Sequence, residues 1–282
     1  MKTLREYLAW AEEKQVALGH FNISDSEGFK AVVEAAQILK VPTIVGISEG
    51  EREFLGLKEA VALVKTAREN GLPIFLNADH TYSVEKSRTA IDAGVDSIII
   101  DEADKPYEEN VRLTKEVVNY ARAKGAGTVV EGELGFIGQS SKIMDKLPEG
   151  VSEKTQTDPQ EAAKFVQETG VDLFAPSVGN IHGMIKTGNP KLNIERIKSI
   201  KKAVTVPLVL HGGSGISDDE FMKAIDAGMR IIHINTELRV AYKEGVEEGI
   251  RSGEIAPYKF LAEGVEQMKR VVHDRLKLFN KL

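Results

Sequence analysis

The chain of 282 residues contains no cysteine. A disulfide framework, a thiolate metal site and a cysteine nucleophile are therefore excluded, and a reducing compartment fits. No apolar run approaches the roughly 20 residues that span a bilayer. The N-terminal MKTLREYLAWAEEK has the pattern of an amphipathic helix and lacks the apolar stretch of a signal peptide. Positive charge is not in excess either: 37 Lys and Arg stand against 43 Asp and Glu, a formal net charge of −6. That balance argues against a nucleic-acid surface. A soluble, cytoplasmic protein with no membrane or nucleic-acid partner is expected. With 42% hydrophobic and 28% charged residues, wholesale disorder is excluded and a large core can be buried.

What is present is an alternation of short β-branched runs with longer amphipathic segments. Eight strands are expected over residues 16–22, 42–48, 73–79, 95–101, 128–133, 171–177, 206–211 and 230–235. Runs such as SIIID and PLVLH are nearly continuous in apolar residues, the pattern of strands buried on both faces of a parallel sheet. Helices are expected over 26–40, 56–70, 83–93, 107–124, 158–169, 194–203 and 217–227, several ending at a glycine suited to a left-handed cap. Eight βα units point to an α/β fold of the (β/α)8 TIM-barrel type. An open doubly wound sheet would carry a Gly-rich fingerprint after its first strand, and GHFNISD has none. No low-complexity linker interrupts the pattern, so one domain over residues 1–282 is expected. The loop over 136–157 is too long for an ordinary βα turn; it reads as a lid or as an insertion without function.

Barrel enzymes keep their chemistry at the C-terminal ends of the strands. Here those ends are polar: Asn22, Ser48 with Glu49, Asp79 with His80, Asp101, Glu131 with Glu133, 177–182, His211, and His233 with Asn235. Of six histidines, His80, His182 and His211 fall at or just after strand ends, where they converge on one mouth beside Asp101 and Glu133. Each alone would read as a hydrogen-bonded barrel residue. Three imidazoles with a carboxylate form a set that Zn²⁺ favours, with a position left open for substrate. No local motif such as HExxH supports this; the barrel register does.

HGGSGIS follows the seventh strand and leads into a helix near Ser217. It reads either as a plain turn or as a phosphate cradle, in which small residues and a helix N-terminus receive an anion, with 233–236 supplying the neighbouring loop. A Schiff-base route would need a desolvated lysine at a strand end, and none ends in one; Lys186 is the nearest.

The order EGELG, VGNIHG, LVLHGGSG, with HFN, ADH, TDP, NPKLN, NTELR and PYKFL around it, resembles the class II, metal-dependent ketose-bisphosphate aldolases, the fructose-bisphosphate and tagatose-bisphosphate aldolase family, nearly end to end. The resemblance implies a zinc-dependent aldolase, with fructose 1,6-bisphosphate as default substrate and dihydroxyacetone phosphate and glyceraldehyde 3-phosphate as products. It assigns Asp79 as the acid/base on the C4 hydroxyl and His80, His182 and His211 as zinc ligands. Glu133 and Asp101 fall at an alternative or second divalent site. Gly183, Gly212, Gly213 and Ser214, with His233, Asn235 and Thr236, hold the dihydroxyacetone phosphate end, and Asn22 and Ser48 line the opposite side. A homodimer or homotetramer and a monovalent cation are further implications. A metal neutralises charge left by C3–C4 cleavage, a carboxylate takes the hydroxyl proton, and the glycine loops position the substrate.

The sequence departs from the family pattern in places. His-Leu-Asp-His-Gly is Asn77-Ala78-Asp79-His80-Thr81, and the usual Asn of the last strand is His233. The stretch after the fourth strand reads Asp101-Glu102-Ala103, and Asp-Pro-Arg near the C-terminus is Ala256-Pro257-Tyr258. After Gly138 the lid reads Gln139-Ser140-Ser141-Lys142, without the family's glutamate; Asp145, Glu149 and Glu153 are the nearby carboxylates, and Lys142 and Lys186 the nearby cations. These departures keep three alternatives open: a tagatose-bisphosphate or other ketose-phosphate aldolase, a metal-dependent sugar-phosphate epimerase, and a non-catalytic homologue that binds metal and sugar phosphate.

Overall fold

The computed structural model describes residues 2–138 and 141–282. Helix α1 (Leu4–Lys14) starts at a capping box between Thr3 and Glu6. Then follow β1 (Leu18–Asn22), α2 (Ser26–Leu39), β2 (Thr43–Ile47), α3 (Glu49–Leu55), α4 (Leu57–Glu69) and β3 (Ile74–Thr81). Next come α5 (Val84–Ala93), β4 (Ser97–Ile100), α6 (Tyr107–Lys124), β5 (Val129–Leu134), β6 (Ile143–Met144) and α7 (Pro159–Thr169). The remainder is β7 (Leu173–Pro176), β8 (Met184–Ile185), α8 (Ile194–Ala203), β9 (Leu208–Leu210), α9 (Asp218–Ala227), β10 (Met229–Ile234), α10 (Thr236–Arg251), α11 (Pro257–Phe260) and α12 (Ala262–Phe279).

Strands β1-β10-β9-β7-β5-β4-β3-β2 close into a barrel in that order. Every pair is parallel. All eight expected strands are in it. The expected long loop is not bare: β6 lies within it and pairs with β8, so the segment is tied to the loop after β7. Helices α3, α10 and α11 were not anticipated. Helix α3 begins at Ser48, whose backbone N–H reaches the Glu51 carboxylate, within a stretch that looks only like a polar strand end.

Period-two alternation sorts the side chains between two cores. Residues facing the helices, among them Phe21, Val45, Leu76, Ile98, Ile100 and Val130, join the larger apolar cluster. The other set fills the barrel. At its lower end Leu18, Ile44, Phe75, Val129, Leu173, Val209 and Ile231 pack together, and α1 plugs the opening with Leu4, Leu8 and Ala11. One step up β1, β3, β5, β9 and β10 the same inward face turns polar, with His20, Asn77, Glu131, His211 and His233 all buried. The barrel is thus an apolar plug below a buried polar layer. Among the described residues no helix is long and apolar enough to cross a membrane.

Leu8 is 4% exposed within this plug. Leu8→Ala is expected to lower unfolding free energy by about 2–5 kcal/mol, read by urea titration, with the metal content of the folded protein unchanged. A loss within the scatter of the measurement would contradict the role of α1 as a plug.

Candidate active site

The site begins with an irregularity in β3. Ala78 pairs with Ile98 but Thr81 pairs with Ile100, so Asp79 and His80 contain one residue more than β4 opposite them. His80 takes φ +32, a left-handed value that a non-glycine residue seldom adopts. In a regular strand two consecutive side chains face opposite ways. A bulge re-aims them, and both Asp79 and His80 line one pocket of about 280 Å³ at the mouth of the barrel.

His80, His182 and His211 each bring one ring nitrogen to a common place, the three atoms lying within 4.8 Å of one another. His80 comes from β3, His182 from the loop between β7 and β8, and His211 from the end of β9. His80 Nδ1 lies 2.7 Å from Asp101 Oδ2, and His211 Nε2 lies 2.6 Å from Glu131 Oε1. The remaining nitrogens, His80 Nε2 and His211 Nδ1, face each other at 3.1 Å. With both carboxylates taking the outer N–H groups, two lone pairs meet there unless a proton or a metal ion lies between them. Tetrahedral zinc would hold its nitrogens roughly 3.3 Å apart, from a Zn–N distance near 2.05 Å. Carboxylates behind histidine ligands are the usual support of such a centre. Glu133 completes the set: its carboxylate is buried, Oε2 has no hydrogen-bond partner, and it lies 3.6 Å from His211 Nδ1. The residues present therefore fit a divalent metal. His80, Asp101 and Glu133 also form a compact group of their own.

Electrostatics in the metal-free site follow from this crowding. Burial, then the charge of His80, pushes the His182 and His211 imidazoles down to about 3. Burial and His233 bring His20 to about 3, and burial with His211 brings His233 to about 4. His80 goes the other way: burial opposes its charge, but Asp79 and Asp101 outweigh it and push it up to about 10. Burial raises Glu131 to about 7 and raises Glu133 as well. Asp79 is held well below the usual carboxylate range, because His80 and His233 outweigh its burial.

The anion cradle lies across the mouth. Gly212 has φ +61, and a Cβ there would land 2.1 Å from the Ile181 carbonyl oxygen, so only glycine lets this loop pass behind the one carrying His182. Ser214 Oγ accepts from the N–H groups of Asn235 and Glu237, docking the β9 loop onto the start of α10. Asn235 gives α10 no side-chain cap, and Ser214 takes the Glu237 N–H, so what the helix end offers an anion is chiefly its positive dipole end.

On the other side stand Asn22 and Ser48. Asn22 Nδ2 donates at 2.9 Å to both Asp79 Oδ2 and Glu51 Oε2. The buried Glu51 also accepts from the Ser48 N–H at 2.7 Å and from Arg239 Nη2 at 2.7 Å.

Of the residues expected from sequence, Asn22, Ser48, Asp79, His80, Asp101, His182, Gly183, Gly212, Ser214, His233, Asn235 and Thr236 line the pocket together. His211, Glu133 and Gly213 lie just behind its wall, His211 and Glu133 within reach of the other ligands. Four participants were not singled out. Glu131 is among the polar strand ends and His20 lies within a strand, but neither was assigned a role, although their inward parity was readable. Glu51 and Arg239 meet across 188 positions of sequence, and no local signal announces such a pair. Arg239 is the Lys or Arg that lines the pocket among the described residues. Lys142 and Lys186 do not line it, and Lys186 pairs instead with Asp145 at 2.8 Å. Asp145, Glu149 and Glu153 are exposed outside it. Gly138 and Ser141 reach the pocket, and Gln139 and Ser140 between them lie outside the described residues.

The depressed imidazoles set the acid limit of the metal-free protein. In the unfolded chain His20, His182, His211 and His233 take protons near pH 6.5; in the fold they stay neutral until about 3 to 4. Glu131, Glu133 and Glu102, each raised by burial, act oppositely and protonate earlier in the fold, so four protons against three favour the unfolded state. The stability of chelator-treated protein should fall as pH drops from about 6.5 to about 4.5. His80 gives stability that is full below pH 6.5 and is lost as pH rises through about 10. Thermal melts across this range test the point; stability that is flat or rises toward acid would contradict it.

The family model described as "Fructose-bisphosphate aldolase class-II" matches residues 2–282. The chain is 37% identical to the fructose-bisphosphate aldolase of Geobacillus stearothermophilus, covering 98% of this chain and 96% of that protein. It is 36% identical to that of Staphylococcus aureus (strain MW2), with the same coverage. Among solved structures it resembles the YdjI aldolase from Escherichia coli K12, with a TM-score of 0.84, 32% identity, and coverage of 99% of this chain and 97% of that one. With a bulged Asp-His pair, a three-histidine centre and a glycine cradle on a closed barrel, and with matches along nearly its whole length, the chain belongs to the class II fructose-bisphosphate aldolase family.

Proposed function

We propose that this chain is a zinc-dependent, cytoplasmic aldolase acting on a ketose bisphosphate, with fructose 1,6-bisphosphate as its substrate. The observation that carries this reading is the β3 bulge, which puts a carboxylate and a metal-site histidine side by side at one pocket wall. Zinc held by His80, His182 and His211 supplies Lewis-acid charge neutralisation for carbon–carbon cleavage. Asp101 and Glu133 offer a second divalent position.

The chain's own residues divide the remaining work. Asp79 is ionised at neutral pH. Asn22 holds its Oδ2, and its buried Oδ1 has no hydrogen-bond partner, leaving that oxygen to take the C4 hydroxyl proton as the aldehyde forms. Gly183, Gly212, Gly213 and Ser214, with Asn235 and Thr236 at the α10 N-terminus, hold one phosphate and so fix the reacting carbons. Arg239 takes the second phosphate on the side of Asn22 and Ser48. A homodimer or homotetramer and a monovalent cation beside the phosphate loops belong to the same reading.

The test is cleavage of fructose 1,6-bisphosphate coupled to reduction of the triose phosphate, run with chelator and then with zinc restored. Activity should vanish and return, and Asp79→Ala should lower kcat by about 10²–10⁴-fold. Arg239→Ala should raise KM for the bisphosphate about 10- to 100-fold, the worth of a charge-assisted hydrogen bond, with a much smaller effect on a singly phosphorylated ketose. Cleavage of tagatose bisphosphate alone would correct the C4 configuration. Zinc-loaded protein silent toward both would contradict the reading in favour of a binding homologue.

A further inference from the structure

A column of imidazoles runs through the polar layer beneath the pocket. His20 on β1 and His233 on β10 are stacked face to face, ring centroids 3.5 Å apart and planes within 5°. The opposite face of His233 lies against His211, at 4.1 Å and 24°. Space for the outer ring exists because residue 46 of β2 is glycine: a Cβ there would land 2.0 Å from His20 Cε1.

One atom of each of His20, Asp79 and His233 lies within 4.8 Å of the others, which raises the question of a second metal centre. The stacking answers it. A ring nitrogen's lone pair lies in the plane of its own ring, so two parallel rings 3.5 Å apart cannot both direct a lone pair at one ion. Neither nitrogen of His20 has a hydrogen-bond partner, and the ring is fully buried. The stack is therefore the contact through which His20 acts, and what it fixes is the plane of His233.

The ring's orientation matters because of what lies beside it. His233 Nδ1 lies 3.4 Å from Asp79 Oδ1, close enough to confine that oxygen although no aligned hydrogen bond joins them. The other Asp79 oxygen is taken by Asn22 at 2.9 Å. The carboxylate is thus bracketed, Asn22 on one oxygen and the edge of His233 beside the other. A tilt of the imidazole would open space for Oδ1 to turn away from the pocket.

We propose that His233 is a positioning residue that aims the Asp79 carboxylate at the substrate, and that His20 serves to hold His233 in its plane by stacking over Gly46. This rests on the aldolase reading above, in which Asp79 takes the C4 hydroxyl proton. His20 reaches neither pocket nor metal centre and acts only through His233.

Two half-reactions separate this role from a merely structural one. Cleavage of the bisphosphate uses the C4 hydroxyl proton. Exchange of a carbon-bound proton of dihydroxyacetone phosphate with D₂O breaks a C–H bond and forms a C–D bond at the carbon next to the carbonyl, with no C4 present. The variants are His20→Leu, which fills the space without a flat face, and His20→Phe, which keeps one. A stacked aromatic pair is worth about a twofold to tenfold population difference. His20→Leu is expected to lower kcat for cleavage about fivefold to tenfold, leaving KM, bound zinc and the exchange rate within about twofold, and His20→Phe to recover most of the loss. His20→Ala gives the same readout should His20→Leu fail to fold. Unchanged cleavage in His20→Leu, equal losses in cleavage and exchange, or loss of zinc would each overturn the proposal. Wild-type enzyme that exchanges but does not cleave would overturn the proton role of Asp79 and this proposal together, and silence in both assays would overturn the aldolase reading itself.

Discussion

Two imidazole nitrogens 3.1 Å apart, His80 Nε2 and His211 Nδ1, each with its ring's other nitrogen on a carboxylate, are the contact on which the rest of the site depends. The arrangement is not self-sufficient. It needs positive charge between the rings, and in the metal-free protein the proton on His80 provides it, held there against burial by Asp79 and Asp101, which push that imidazole up to about 10 while its neighbours are depressed. A divalent ion would take over that place and would also meet Glu133 and His182. Four carboxylates and five imidazoles are gathered at this level of the barrel, a concentration of buried polar groups that is stable only when paired or metal-bound.

The fold makes room for this by separating two jobs along each strand. The lower inward positions are apolar and sealed by α1, so that the barrel's closure does not rely on the polar layer. The upper positions can then be chosen for chemistry. Where the strict alternation would have placed neighbouring residues on opposite faces, one extra residue in β3 brings Asp79 and His80 to the same wall, at the cost of a left-handed backbone at His80. Strain of this kind persists where the surroundings over-determine it, and here Asp101, His211 and Arg52, which donates to the Asp79 carbonyl, hold the segment in place.

The barrel was legible in the sequence because parallel strands buried on both faces leave runs such as SIIID and PLVLH, and because period-two alternation carries inward and outward faces without long-range information. The meeting of His80, His182 and His211 was legible for the same reason: they stand at strand ends or in the loop after one, and a barrel brings those together. The β3 bulge was not, since neither Asp79 nor His80 is the glycine that would announce an unusual backbone. Arg239 was hidden because it sits one turn into α10, and only the three-dimensional approach of α3 shows that it meets Glu51. The His20–His233 stack depends on a glycine two strands away from His233 in the barrel order, a relation that one sequence does not display. Helices α3, α10 and α11 were not legible, because their first residues read as polar strand ends or loop.

The chemistry of the site depends on the metal centre. The most direct measurement is anomalous X-ray scattering, recorded above and below the zinc edge from crystals of the zinc-loaded protein. A single strong peak about 2.0–2.1 Å from His80 Nε2, His211 Nδ1 and one nitrogen of His182 is the expected result. Loss of that peak in His211→Ala crystals of the same form would follow. No peak at the three histidines with zinc in excess, whether or not one lies elsewhere, would mean that the paired nitrogens share only a proton, and would contradict the mechanism built on them.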